Sequence, residues 1–541
     1  MSLAAGVAHA QATEAAPAGA QAGAAPQIMA PPTSFSIMAI DVQGVTRLSP
    51  QDIEKTIYPF LGPDKKPADV EAARKAVEEA YKKAGFEAAD VSIPPQPQEE
   101  FAAGLVRISV IEAPVAKVAV SGAKHHGDKL VLQQLPSVKA GEPLNFKTFQ
   151  GELERANRFP DREVVPSFDA GEQPGTINVD LKVRDSLPFH ASAELNNDHS
   201  PSTTDLRATG SLRYSNLWGV GHTLSLGYSV APRRRSDSEA YFGSYSIPFL
   251  GSDWTFVLSG YHSNSNIAAL GGTNVLGNGY QIGGQVVYRL PNKRDYQAFR
   301  IGADFKNFKQ NIGLDGSDVS QAPIRYIPLT LGYDYSAARD DWSVDLSVGA
   351  TLGLRVIKRI ECFDPTATTC QPEDQFTNRE VDSSENFSHL NLDASVTTKI
   401  VGDLVGFLKL SAQFSDSHLV SNEQFAVGGL SSVRGYYQSE VVGDRGLATT
   451  VELRSPSLAT QLGRFVDEAR FFVFVDAGIV SVIDPLPDTK VNSRILSYGG
   501  GLRVKLLKLL SGEVLVGVPL RTSADTRAND PRITFQVKGE F

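Results

Sequence analysis

The residues able to do bond-making chemistry are scattered along this chain without the spacing that catalysis needs. Its nine histidines show no cluster of metal-ligand spacing. His125 and His126 are adjacent in a polar turn and read as solvated. There is no Gly-x-Ser-x-Gly elbow and no phosphate-binding Gly-Lys-Ser/Thr loop. Acid pairs such as Asp340-Asp341 stand at apparent turns. No enzyme, metal or cofactor is therefore expected. Cys362 and Cys370 are close in sequence within a polar segment; an oxidising compartment would let them close a small loop. A metal pair is the weaker reading, because no His stands nearby. Lys and Arg number 52 against 61 Asp and Glu, which leaves no basic footprint for nucleic acid.

What such a chain does must come from its elements. Leu3–Ala10 resembles the tail of a secretory signal with an Ala-x-Ala site before Gln11. It lacks a basic n-region, so the true start is expected upstream of residues 1–10. Residues 11–34 are Ala-, Gly-, Pro- and Gln-rich and read as a linker, too poor in large apolar side chains to build a core. From Phe35 the order becomes strand, helix, helix, strand, strand. One strand is expected from Phe35 to Gly44, and Ser49-Pro50 caps a first helix. Val70, Arg74, Val77 and Tyr81 mark a second helix that ends at Gly85. Strands follow around Ala88–Ile93 and Gly104–Glu112. The order recurs: a strand at Val115–Val120, helices at Asp128–Leu135 and Asn145–Asn157, strands at Val164–Phe168 and Thr176–Val183. This is an internal repeat of two units, 35–113 and 114–187. Exposed strand edges in each would pair an extended peptide or dock the two units on each other.

After Pro188 helix signals vanish, and 188–541 alternates apolar and polar residues in roughly sixteen segments. Leu224, Leu226, Tyr228 and Val230 share one face, as do Leu408, Leu410, Ala412 and Phe414. In the last segment Ile533, Phe535, Val537, Gly539 and Phe541 oppose Thr534, Gln536, Lys538 and Glu540. No run of eighteen apolar residues occurs, which excludes a helical membrane span. The segments are longer than sandwich strands and fit a sixteen-stranded antiparallel transmembrane β-barrel with a polar, hydrated lumen. Two α+β (β-α-α-β-β) units followed by such a barrel is the predicted fold class.

Between the eleventh and twelfth segments, within a lumenal loop taken as 421–446, stands Val433-Arg434-Gly435-Tyr436. Phe474-Val475-Asp476-Ala477-Gly478 follows on the thirteenth. The pair resembles the Val-Arg-Gly-Tyr/Phe and Phe-x-Asp-x-Gly signatures of the Omp85 superfamily. The stretch Asn157-Arg158-Phe159-Pro160-Asp161-Arg162-Glu163-Val164 resembles the second POTRA domain of two-partner secretion transporters, the haemolysin secretion/activation (ShlB/FhaC/HecB) type, with Asn157, Pro160, Arg162 and Val164 as its signature. The resemblance covers nearly all of 35–541. It implies that Arg434 pairs with Asp476 to pin the loop, since a lone arginine in a confined pore needs an acid. Gly435 would allow the tight tip, and Gly478 would make room at the wall. It also implies two periplasmic POTRA domains that take an unfolded exported protein and a barrel that passes it through the outer membrane. The lipid bilayer and the barrel assembly machinery are the other expected partners, Phe541 resembling the C-terminal barrel signal. The alternative is an insertase that assembles other outer-membrane barrels.

Overall fold

A computed structural model describes residues 34–541, apart from stretches within 265–277, 292–293, 310–322, 358–373, 381 and 486–489. The signal-like start, the linker as far as residue 33, and Cys362 with Cys370 lie outside the described residues.

The first repeat forms a compact unit of its own. Ser49 caps the helix Pro50–Ile57 by accepting from the Asp52 N–H at 3.1 Å. The helix Pro67–Ala84 buries Val70, Ala73, Val77 and Tyr81, and Gly85 ends it at φ +96°. That face packs on Val106, Ile108 and Val110 of the strand Leu105–Ile111. The single strand expected from Phe35 to Gly44 is two. Phe35–Ile37 pairs with a short strand, Gly62–Lys65, whereas Ala39–Gln43 runs parallel to Leu105–Ile111. The break has a cause: the Met38 and Ala39 N–H groups both donate to the Gly104 carbonyl, turning the chain from one partner to the other. A short helix, Gln98–Ala102, also precedes the last strand.

The second repeat keeps the order β-α-α-β-β: Val115–Ser121, Asp128–Gln134, Phe146–Ala156, Arg162–Ala170 and Ile177–Asp185. Its last strand is central, parallel to the first and antiparallel to the fourth element, so two edges stay open. Val131, Leu135, Phe149, Val164 and Leu181 fill the core between helices and sheet.

Sixteen antiparallel strands then close into a barrel. The first is Phe189–Asn196, followed by Arg207–Leu217, His222–Val230, Glu239–Pro248, Trp254–Ser263, Asn278–Arg289 and Tyr296–Lys309 as the second to seventh. The eleventh to sixteenth are Leu404–Ser415, Arg445–Arg454, Val466–Ser481, Asn492–Leu506, Leu510–Pro519 and Arg532–Glu540. Alternation puts Leu226, Ile282, Ile301, Val451, Val473 and Ile533 outward and exposed, the apolar band that lipid requires. At one end the connections are as tight as 339–341 and 402–403; at the other they run to 355–387 and 416–444. Short turns mark the periplasmic end of such barrels, and the second repeat enters the first strand at that end. No described helix is long and apolar enough to cross a membrane. Short helices do occur after Pro188, at Gln375–Arg379 and Ala459–Leu462.

Part of the lumen departs from the hydrated interior expected of it, while a polar-lined space remains beside Glu194, Arg207, Gln536 and Lys538. Val427, Val433, Tyr436 and Val441 of the inward loop bury themselves against Ala448, Val480 and Ile495 of the wall. A second cluster joins Phe308, Ile324 and Tyr326 to Phe376, Phe387, Leu419 and Val420. Strand periodicity reports only which face a residue occupies. Phe376 and Phe387, from the described part of one long connection, and the connection 416–444 turn inward and give that face an apolar partner.

Candidate functional site: the lumenal loop and its seat

The loop between the eleventh and twelfth strands folds into the lumen on a hairpin of Phe425–Val427 against Val441–Gly443. Its tip carries Arg434, buried to 6% exposure. The guanidinium grips Asp476 from two sides, Nε to Oδ2 at 2.8 Å and Nη2 to Oδ1 at 2.9 Å, and the Arg434 N–H adds a third bond at 3.0 Å. This bidentate fork is the strong, directional form of an arginine–carboxylate pair. Nη1 reaches a second acid, Glu452 Oε2, at 2.5 Å. The flat of the guanidinium lies over the Phe474 ring, 3.6 Å from its centroid. Glu452 is shared with Arg454 at 2.7 Å and Arg503 at 3.4 Å, and Arg503 pairs with Glu513 at 2.6 Å. Three cations thus meet three carboxylates, and the buried charge is balanced.

The wall is shaped to receive this tip. Glu452, Phe474, Gly499 and Gly517 stand side by side across the twelfth to fifteenth strands. A Cβ on Gly499 would fall 2.5 Å from the Phe474 ring, and one on Gly517 would fall 2.7 Å from the Gly435 backbone. Glycine inside a strand here marks close approach, of a ring in one case and of the loop in the other. Gly435 sits at φ +90°, in the left-handed region open to glycine. A Cβ at Gly478 would meet Val427 at 2.6 Å and Val433 at 3.1 Å. The Tyr436 hydroxyl donates to the Arg521 carbonyl at 2.8 Å and accepts from the Leu496 and Arg521 N–H groups at 3.3 and 3.2 Å.

Further contacts hold the loop along its length. Asp198, just past the first strand, accepts from the Leu430 N–H at 3.0 Å. Glu423 meets Lys306 and the Tyr326 hydroxyl, each at 2.5 Å. Asp444 accepts from the Leu419 and Ile483 N–H groups at 2.9 and 2.7 Å. Sequence reasoning missed Glu452, Gly499, Gly517, Asp198, Glu423 and Asp444. The run Gly499-Gly500-Gly501 in mid-strand was the available signal for the wall; the acids offered none, since their partners lie on distant strands.

The other singled-out residues lie apart from this seat. Asn157 bridges Val164 twice, Nδ2 to its carbonyl at 2.9 Å and Oδ1 from its N–H at 2.7 Å, tying helix end to strand start. Arg162 is buried beneath them on the Ala156 carbonyl at 2.5 Å and on Gln134, and burial lowers its pKa to about 10. Pro160 is exposed at the turn and Val164 is in the core. His126 is a correction: the imidazole is buried, not solvated, with Nδ1 3.4 Å from Asp185. Asp185 accepts the N–H groups of Lys124, His125 and His126, which curls the turn inward. Burial, then the Arg162 charge, lowers the His126 pKa against the opposing pull of Asp185. Burial alone would raise the Asp185 pKa, but the three N–H donors outweigh it and the net shift is downward. Among the described residues no group of His, Cys, Asp and Glu could hold a metal ion. Phe541 is exposed, and its backbone N–H and carbonyl both pair with Ala191 across the barrel seam.

A closed sixteen-stranded barrel with α+β repeats before its first strand and an arginine-held loop in its lumen defines a transmembrane β-barrel protein with an N-terminal α+β region. The model of the haemolysin secretion/activation protein ShlB/FhaC/HecB family matches residues 175–504, and that of the ShlB-type POTRA domain matches 35–113. The chain belongs to the ShlB/FhaC/HecB family and is an outer-membrane transporter. It is 23% identical over 451 residues to the outer membrane transporter CdiB of Dickeya dadantii, covering 82% of this chain and 76% of that one. It is 22% identical over 415 residues to the heme/hemopexin transporter protein HuxB of Haemophilus influenzae, covering 73% and 67%. The solved structure of CdiB from Escherichia coli superposes with a TM-score of 0.64 at 18% identity, over 96% of this chain and 93% of that one.

Proposed function

We propose that this transporter engages an unfolded, exported partner protein through its POTRA domains and passes it through the barrel to the cell surface or medium. The observation that carries the reading is the pinned loop. A segment filling part of the lumen is held at its tip by one balanced ionic seat, a device suited to being displaced and restored. Folding of the client outside would give the passage direction without nucleotide energy. The domain limits that go with this reading are POTRA domains at 35–113 and 114–187, a barrel at 188–541 and a lumenal loop at 421–446. Val433, Arg434, Gly435 and Tyr436 would form the pin, Phe474, Asp476 and Gly478 its receptor. The apolar outer band would sit in lipid, and the barrel assembly machinery would insert the chain, reading Phe541.

The insertase alternative fares less well, because the relatives matched are named as transporters and because the repeat count is two. Mass spectrometry of medium and outer membrane from cells with and without this chain separates the two. Loss of one secreted protein with porins unchanged is expected. Depleted porins with an unchanged medium would overturn the reading in favour of barrel assembly.

A further inference from the structure

The signature segment of the second POTRA domain faces two ways. Asn157, Arg162 and Val164 hold the domain together, while the residues between them meet the barrel rim. Phe159 lies against Gly221, where a Cβ would fall 2.5 Å from the ring. Arg158 forms an ion pair with Asp253 at 2.7 Å. Asp161 accepts from the Ser215 hydroxyl at 2.5 Å and faces His190 Nε2 at 2.7 Å. Beside this seam lies a cavity of about 330 Å³ at the short-turn mouth of the barrel.

Its lining carries Arg155, Arg158 and Arg289 against one carboxylate, Asp253, and Glu154 beside the lining stands 3.4 Å from Arg158, so three cations meet two carboxylates. Arg289 makes no ion pair among the described residues; its guanidinium lies over the Tyr296 ring at 5.0 Å. The Nε atoms of all three arginines are buried without a hydrogen-bond partner. Val257 and Val287 supply apolar wall. Val257 stands on the inner face of its strand, since the adjoining Leu258 points outward at 45% exposure, and Val287 pairs with Thr255 on that same inner face. The cavity therefore opens chiefly on the lumen, with Phe249, Leu250 and Trp254 at its outer edge.

Excess cation in a half-enclosed, apolar-walled cavity selects an anionic group with apolar flanks. Guanidinium is weakly hydrated, and its fork matches a carboxylate. Arg289 and its apolar neighbours Val257 and Val287 stand on inward strand positions, so the matching source is a polypeptide entering the mouth. We propose that this cavity is a receiving site for the client, taking an Asp or Glu side chain flanked by apolar residues, with Arg289 as the arginine left to pair with it. The inference rests on the transporter reading and adds the chemistry of the segment that is admitted.

The test uses the full-length protein in detergent and two fluorescein-labelled peptides, one alternating Asp and Leu, the other Lys and Leu. Fluorescence anisotropy is expected to show the Asp-Leu peptide bound at least about tenfold more tightly, and Arg289→Gln to remove about that factor. Arg289→Lys should keep the preference, and unchanged heat-modifiable mobility on gels would show that both variants are folded. Equal binding of the two peptides, or an unchanged affinity in folded Arg289→Gln, overturns the site. Displacement of the peptide by inorganic phosphate at equal charge concentration would also overturn it, leaving a general anion site. Failure of the transporter reading shows elsewhere, as a medium that loses no protein when the chain is deleted.

Discussion

Arg434 concentrates the chemistry of the molecule in one side chain. Its guanidinium satisfies two carboxylates and covers an aromatic face in a space of 6% exposure. Removing one member of a buried ionic group leaves the others uncompensated, at a cost of about 3–5 kcal/mol. Arg434→Ala should therefore free the loop tip without unfolding the wall, whose strands keep their own hydrogen bonds. The expected outcome is a loop cut more readily by protease around 428–438, in a barrel of unchanged heat-modifiable mobility, with secretion of the client reduced. Intact secretion from an assembled Arg434→Ala barrel would remove the pin from the mechanism. Asp476→Asn should act in the same direction but more weakly, since Glu452 remains.

At the scale of elements, the joint between the second helix of the second repeat and its following strand rests on Asn157. Its side chain satisfies both backbone groups of Val164, groups that are costly to leave unpaired where the residue is buried. Asn157→Ala should lower the protection of the Val164 amide by about 1–3 kcal/mol, read by hydrogen exchange on the full chain. The turn at 124–126 adds a pH dependence. The folded His126 is held below its usual pKa of 6.5, so the fold favours the neutral ring. That contribution is present above the unfolded value and is lost as pH falls through 6.5 toward the lower folded value. Exchange at the 124–126 amides, corrected for intrinsic rates, should therefore quicken as pH drops from about 7.5 to 5.5, and His126→Asn should flatten the profile. A flat profile in the unaltered protein would show that the ring does not report on the turn.

For the whole molecule, the closing seam between the sixteenth and first strands is a matter of backbone. Gln536–Glu540 pair with Ser192–Asn196, and Phe541 extends the ladder onto Ala191. The Phe541 ring itself points away and is exposed at 67%. Phe541→Ser keeps every seam hydrogen bond, so an effect on folded stability alone should be small. If the ring is read during insertion, the variant should reach the outer membrane at several-fold lower level while the assembled fraction melts as before. An unchanged level would leave Phe541 as a lipid-facing aromatic only.

Much of this was legible from the chain. Period-two alternation reports which face of a strand each side chain occupies, so the sixteen-stranded antiparallel barrel, and the outward placing of residues such as Leu226 and Ile533, followed from local pattern. Helix caps at Ser49 and Gly85 are likewise local events between residues a few positions apart. Long-range partners were not legible. Nothing near Arg434 in sequence announces Glu452 as its second acid, and nothing around His126 announces that Asp185 will gather three N–H groups and bury the ring. How much of the lumen is packed depends on where Phe376, Phe387 and the connection 416–444 go, and a connection has no periodicity to read. The sequence determined the strands, their faces and the residue types of the pin. Only the closure of the barrel, which brings the twelfth to fifteenth strands into one curved wall, decided that Gly499 and Gly517 clear a seat, that Arg434 fills it, and that arginines from a helix of the second repeat and from a barrel strand converge on one cavity.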